Sequence, residues 1–243
     1  MRYAIIADIH ANLAAFTAVL DDISQRGGVK EIWCLGDIVG YGPDPHQSIE
    51  FLRQRNHVCV AGNHDWAAIG KIDTADFNPD AATACHWTTE QLSPDDIQYL
   101  EGLPLTIGKG DFTLAHGSPR EPIREYIRST SIAAANFTFF KTRFCLAGHS
   151  HVPMVFKLED GDCSSSQLSP SIGLALGKSR WIINPGSVGQ PRDNDSRASY
   201  AIYDDESNMV RLRRIPYDID ATQKKMMQKG LPIRLVERLS HGM

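Results

Sequence analysis

Five short blocks of this chain carry side chains able to hold a metal: Asp8-Ile9-His10, Gly36-Asp37, Gly62-Asn63-His64-Asp65, His116-Gly117 and Gly148-His149-Ser150-His151. The candidate ligands are Asp8, His10, Asp37, Asn63, His116, His149 and His151. They offer carboxylate, amide and imidazole donors and no thiolate, a set that suits Mn, Fe, Co, Ni or Zn. So many donors exceed one ordinary site and match two ions about 4 Å apart, with the two carboxylate oxygens of Asp37 able to bridge them. Two divalent cations bring about +4; Asp8, Asp37 and a bridging hydroxide leave about +1 and a nucleophile at neutral pH. Such a centre suits in-line attack by the hydroxide on an anionic phosphate ester. His64, beside Asn63, reads as a general acid or a donor to a phosphoryl oxygen rather than a ligand.

Each block follows an apolar run, over 3–7, 32–35, 58–61, 112–115 and 144–147. Short apolar runs bounded by Gly and polar residues read as buried strands, so the ligands sit at the strands' carboxyl ends, where open α/β sheets bind. Alternation along a strand would point Asp8 and His10 the same way, and likewise His149 and His151, so that each pair grips one ion. Between the first strands, Asn12 can cap a helix carrying Leu13, Phe16, Leu20 and Ile23 on one face, stopped by Gly27-Gly28. A short helix over 46–55 follows the loop Gly40-Tyr41-Gly42-Pro43-Asp44-Pro45, and this β-α-β-α-β order predicts parallel strands with right-handed crossovers. Asn78-Pro79 and Ser93-Pro94 are N-cap plus N1-proline signatures, predicting helices over 80–92 and 94–101. They lie in an insertion of about 66–104 that is a candidate lid over the active edge. Beyond His151 strands are expected over 152–158, 181–184, 199–203 and 210–215, with 164–178 a Ser/Gly-rich loop and 218–243 a polar helical tail without chemistry.

With 22% charged and 42% hydrophobic residues the composition is ordinary for a soluble globular protein, and the length suits one large domain or two small ones; a single domain spanning 1–243 is expected. A net charge of −4 gives no bulk attraction to nucleic acid or anionic lipid. Five cysteines, an odd number with no C-x-x-C pair, favour a reducing cytoplasm over a disulfide framework. No apolar run approaches the roughly 20 residues a membrane helix needs.

The ordered blocks resemble those of the calcineurin-like binuclear metallophosphoesterase superfamily, and more narrowly its small prokaryotic phosphodiesterase branch. The match spans residues 1–151 and extends to Asn184-Pro185-Gly186-Ser187, similar to a late turn in those proteins. The resemblance implies a four-layer α/β/β/α sandwich with two mixed sheets. It implies Asp8, His10 and His151 on one ion, Asn63, His116 and His149 on the other, Asp37 bridging, and Mn as the first choice of metal. One departure stands out. Phosphoprotein phosphatases and symmetrical diadenosine tetraphosphate hydrolases carry an acid or arginine after the Gly-Asp block, whereas Ile38-Val39-Gly40-Tyr41-Gly42 has neither. That loop offers no carboxylate to orient His64, leaving Asp65 as the local candidate, and argues against protein phosphatase activity.

A phosphate-reading arginine must then come from elsewhere, and Arg120 and Arg192 are the candidates, arginine matching phosphate bidentately. Tyr41 faces the expected active edge, as packing or as a stacking surface for substrate. The leading expectation is a metal-dependent phosphoesterase acting on small phosphate esters, diesters before monoesters. A dinucleoside polyphosphatase or nucleotidase is the alternative, and a non-catalytic interaction scaffold is disfavoured by the complete ligand set. A nuclease would need a basic groove. A homo-oligomer is compatible with the sequence. His46, His57, His86 and His241 lack partners at ligand spacing, and Phe77 and Trp87 read as packing residues.

Overall fold

A computed structural model describes residues 1–243. In chain order the elements are β1 (Arg2–Ile6), α1 (Leu13–Gln25), β2 (Glu31–Cys34), α2 (Pro45–Arg53), β3 (His57–Cys59), α3 (Asn63–Ala68), α4 (Pro79–Gln91) and α5 (Pro94–Glu101). Next come β4 (Thr106–Lys109), β5 (Phe112–Ala115), α6 (Thr130–Asn136), β6 (Phe144–Leu146), β7 (Met154–Glu159) and β8 (Asp162–Gln167). The chain closes with β9 (Leu174–Ala175), β10 (Arg180–Asn184), β11 (Ala198–Asp204), β12 (Met209–Ile215), α7 (Ile219–Gln228), α8 (Ile233–Glu237) and a 3-10 turn, Arg238–Ser240.

The strands form two mixed sheets, ordered β3-β2-β1-β11-β12-β9 and β4-β5-β6-β10-β7-β8. Strand alternation explains how they stack. Ile5 and Ala7 face the other sheet and meet Phe112, Leu114, Phe144 and Leu146, while Ala4 and Ile6 face α1 through Phe16, Val19 and Leu20. On the second sheet Cys145 and Ala147 turn outward to Ala133 and Phe137 beneath α6. Strands buried on both faces must be apolar throughout, which is why these runs were readable. Parallel pairing of β1 with β2 and β2 with β3 brings their carboxyl ends, and hence the first ligand blocks, to one edge. Parallel pairing of β5, β6 and β10 does the same for the second sheet.

The caps fall where the sequence places them. Asn12, Asn78 and Ser93 each accept a backbone N–H from the first turn of α1, α4 and α5. The expected loop over 164–178 needs correction: β8 pairs with β7 across an Asp160-Gly161 turn whose residues have φ of 52° and 93°. Its sequence, DCSSSQ, is mostly exposed edge strand, so it carries no apolar alternation to betray it. No helix is long and apolar enough to cross a membrane.

Candidate metal centre

The ligand side chains do not lie on the strands but just beyond them. Asp8, His10, Asp37, His149 and His151 have φ of 55°, 49°, 53°, 63° and 59°, the left-handed region. Non-glycine residues held there cost roughly 1–3 kcal/mol each and cluster at functional sites. Strand alternation therefore does not set their direction, and the expected pairing of His149 with His151 on one ion is corrected. His151 joins Asp8, His10 and Asp37, whereas His149 joins Asp37 and His116, each group having its donor atoms within 4.8 Å of one another.

A lattice of backbone bonds holds these turns. Asp8 N–H donates to Gly36 O at 3.0 Å, His10 N–H to Asp37 O at 3.0 Å, and Gly148 N–H to His116 O at 2.8 Å. The Asn184 side chain ties the last loop down, donating to Gly148 O at 2.6 Å and Ser150 Oγ at 3.0 Å and accepting Gly186 N–H at 2.8 Å. Ser187 Oγ donates to Asp8 O at 2.8 Å, so the Asn184–Ser187 turn clamps the first and last ligand blocks together. Asp65 does not orient His64. Its two oxygens accept the N–H groups of Asp37, Ile38, Val39 and Gly62 at 2.8–3.2 Å, shaping the loop that presents Asp37.

The histidines show what the cluster is built to receive. The second ring nitrogen of each faces a backbone carbonyl: His10 Nδ1 at Val39 O (3.1 Å), His116 Nδ1 at Leu35 O (2.8 Å), His151 Nδ1 at Gln190 O (2.6 Å) and His149 Nε2 at Arg124 O (3.3 Å). A carbonyl only accepts, so these nitrogens carry the protons and the inward ones carry lone pairs. Lone pairs then confront each other at 3.1 Å between His10 and His151, and at 3.0 Å between His116 and His149. Asn63 Oδ1 adds a third lone pair 3.0 Å from His116 Nε2. Asp37 Oδ2, buried and without a hydrogen-bond partner, lies 3.6 Å from His10 Nε2 and 3.4 Å from His116 Nε2, between the two pairs. Asp8 Oδ2 is likewise buried and unpartnered. Inward lone pairs and partnerless carboxylates repel one another unless cations lie between them, so the donor set fits divalent metal.

Without a cation, burial dominates the charges. It pushes the Asp37 carboxyl up to about 8 and the Asp65 carboxyl up to about 7, and raises Asp8 well above the carboxylate range. It drives His116 down to about 4 and lowers His10, His64, His149 and His151 as well.

His64 stands next to this cluster. Its backbone N–H donates to Asp37 Oδ1 at 2.8 Å, and its ring lies 4.9 Å from His10, 4.3 Å from Tyr41 and 4.7 Å from Phe77. The buried Nδ1 rests against Gly40 without a partner. Arg192 also reaches the cluster: Nη2 donates to Tyr41 Oη at 3.3 Å and Gln190 Oε1 at 2.8 Å, and its charge acts on Asp8 and Asp37. Arg120 is turned elsewhere, paired with Glu125 and stacked over Phe139.

Two features escaped the sequence reading. Tyr126 stacks on the His149 ring at 3.8 Å and 17°, with Arg128 over it at 4.3 Å. The tail is not inert either, since Met226, Leu235 and Leu239 pack on Tyr41 and α4, and Arg238 Nη1 donates to Gln190 Oε1 at 3.2 Å. No spacing marks these residues, because only tertiary packing brings them here. From the insertion, Asp76 pairs with Arg124 beside the site.

The geometry agrees with what comparison finds. The sequence profile described as a calcineurin-like phosphoesterase superfamily domain matches residues 1–208. An uncharacterized protein of Methanocaldococcus jannaschii is 39% identical over 244 residues, covering 98% of this chain and 97% of that protein. The crystal structure of a metallophosphoesterase from Sphaerobacter thermophilus superposes with a TM-score of 0.91 at 47% identity, covering 100% of this chain and 99% of that one. A symmetrical bis(5'-nucleosyl)-tetraphosphatase of Pseudomonas putida is 29% identical over 100 residues, 35% of each chain.

Proposed function

The chain belongs to the calcineurin-like phosphoesterase superfamily, and from that premise we propose that it hydrolyses phosphodiester or phosphoanhydride bonds with two divalent cations sharing Asp37. One observation carries the reading: two pairs of imidazole lone pairs face each other at 3.0–3.1 Å on either side of one unpartnered Asp37 oxygen. Asp8, His10 and His151 would hold one cation, Asn63, His116 and His149 the other, with manganese the first candidate. When bound, the metals supply charge for the phosphoryl oxygens and a water of lowered pKa.

The remaining work falls to the chain's own residues. The backbone carbonyls behind the histidines fix which nitrogen faces inward. Arg192 meets a phosphoryl oxygen from the Tyr41 side. His64, with Nδ1 packed on Gly40, turns Nε2 to the substrate. No carboxylate partners it and burial lowers its pKa, so it donates a hydrogen bond to phosphate rather than a proton to the leaving group. Phe77, from the 66–104 insertion, walls this side of the site. Asp37→Asn is the direct test. Elemental analysis should show both cations lost or unbalanced, and aryl diester turnover should fall by at least about a hundredfold; full metal content with ordinary turnover refutes the shared-ligand reading.

A further inference from the structure

Outside the ligand cluster, the structure holds a second concentration of unmatched charge. Arg192 and Arg238, far apart in sequence, donate to the same oxygen, Gln190 Oε1, at 2.8 and 3.2 Å. Two guanidinium groups sharing one neutral acceptor repel each other, and each lowers the field available to the other. The neighbours Arg197 and Arg214 pair with Asp195 and Asp193, but Arg192 bonds only to neutral groups, the Tyr41 hydroxyl and the Gln190 amide, while Arg238 meets that same amide and an oxygen of the final residue, Met243. Asp80, the carboxylate whose charge reaches Arg238, makes no hydrogen bond to it. Arg192 Nε is buried with no partner at all.

The pair also has a direction. His10, in the ligand cluster, packs edge-on to Tyr41 at 4.6 Å; Tyr41 meets Arg192; Gln190 links Arg192 to Arg238. Positive charge therefore steps outward from the metal ligands along one side of the site. The tail keeps Arg238 in place, because Leu235, Val236 and Leu239 on either side of it are buried against Tyr41 and α4. Asn194 N–H also donates to Gly242 O at 2.8 Å.

We propose that Arg192 and Arg238, bridged by Gln190, form a second anion subsite that selects substrates carrying another phosphoryl group next to the one hydrolysed. The inference rests on the phosphoester-hydrolase reading and narrows it toward phosphoanhydrides and other substrates with two neighbouring phosphates. Guanidinium forks suit phosphate, and a dianionic group between the two arginines relieves their repulsion as it binds.

The test is calorimetric titration of the metal-loaded full chain with orthophosphate and with pyrophosphate at one fixed free manganese concentration. The wild-type protein should favour pyrophosphate, and Arg238→Gln should reduce that preference by about tenfold, the scale of one lost charge-assisted hydrogen-bond pair. Arg238→Lys, which keeps the charge without the fork, should recover part of it, and it carries the test if the glutamine variant melts early. Equal weakening of both anions in either variant overturns the subsite, as does an unchanged pyrophosphate preference. If the wild-type protein shows no such preference yet turns over aryl diesters, the subsite alone fails. Absence of both anion binding and turnover in metal-loaded protein brings down the underlying reading too.

Discussion

Gly62→Ala bears directly on the position of the shared carboxylate. Gly62 has φ of −103° and ψ of 172°, extended backbone that alanine adopts freely, so the substitution brings no conformational strain. What it brings is a collision: a Cβ at this position would lie 2.0 Å from Asp37 Oδ1, 2.4 Å from Asp37 N and 2.7 Å from Asp37 Cγ. Carbon and oxygen in contact sit at about 3 Å or more, so the Asp37 carboxylate must move by roughly 1 Å. The same oxygen accepts the His64 N–H at 2.8 Å, and its twin lies 3.4–3.6 Å from the two inward imidazole nitrogens. A displacement of that size breaks the shared position at which both histidine groups converge. Misplacement by about 1 Å at a reacting centre typically lowers rate on the order of a hundredfold, and overpacking of this kind costs about 1–3 kcal/mol of stability. Elemental analysis after dialysis, aryl diester turnover and urea unfolding of the metal-free protein read the three consequences separately. A variant with two bound cations and turnover within about threefold of wild type would refute the idea that Asp37 joins the two groups.

Other outcomes follow from the same geometry. Without metal, the buried histidines lie below their ordinary 6.5, so the fold binds fewer protons than the unfolded chain at mildly acid pH and stability rises as pH climbs to 6.5. Asp8, Asp37 and Asp65 act oppositely: raised above their ordinary 3.8, they keep protons the unfolded chain has lost, and stability falls through about 7 for Asp65 and about 8 for Asp37. Melting temperature in chelator should therefore peak near pH 6.5 and decline by pH 8.5, whereas manganese, replacing those protons, should remove the decline; a metal-free curve still rising above pH 7 contradicts this. His64→Ala should slow activated and unactivated esters by the same factor, about tenfold to a hundredfold, with metal content unchanged; selective slowing of poor leaving groups would restore a proton-donor role. Asn184→Ala removes three buried hydrogen bonds and should lower stability by about 2–4 kcal/mol in urea titration, loosening cation binding at His149 and His151.

The location of the ligand blocks was legible because each one ends a strand buried on both faces. Such strands must be apolar, so the residues that follow them stand out. The direction of the side chains was not legible. Alternation was the wrong rule for His149 and His151, which lie past the last ladder bond in the left-handed region and fall in different donor groups. Arg120, four residues after His116, and Arg192, in the late Gly189–Asp193 stretch, were equal candidates in sequence; a nearby Glu125 claims the first, and nothing acidic claims the second.

Sequence by itself determined the caps at Asn12, Asn78 and Ser93, the apolar strand runs at the centre of both sheets, and the donor chemistry offered at their shared edge, because these depend on residue type and near neighbours. Tertiary structure alone decided which histidines face one another, that Asp65 shapes the Asp37 loop, and that Tyr126 covers His149. It also carried Arg238, near the far end of the numbering, to within one amide of Arg192. Those relations join residues separated by tens to hundreds of positions, and no local preference encodes a distance that only the packed core sets.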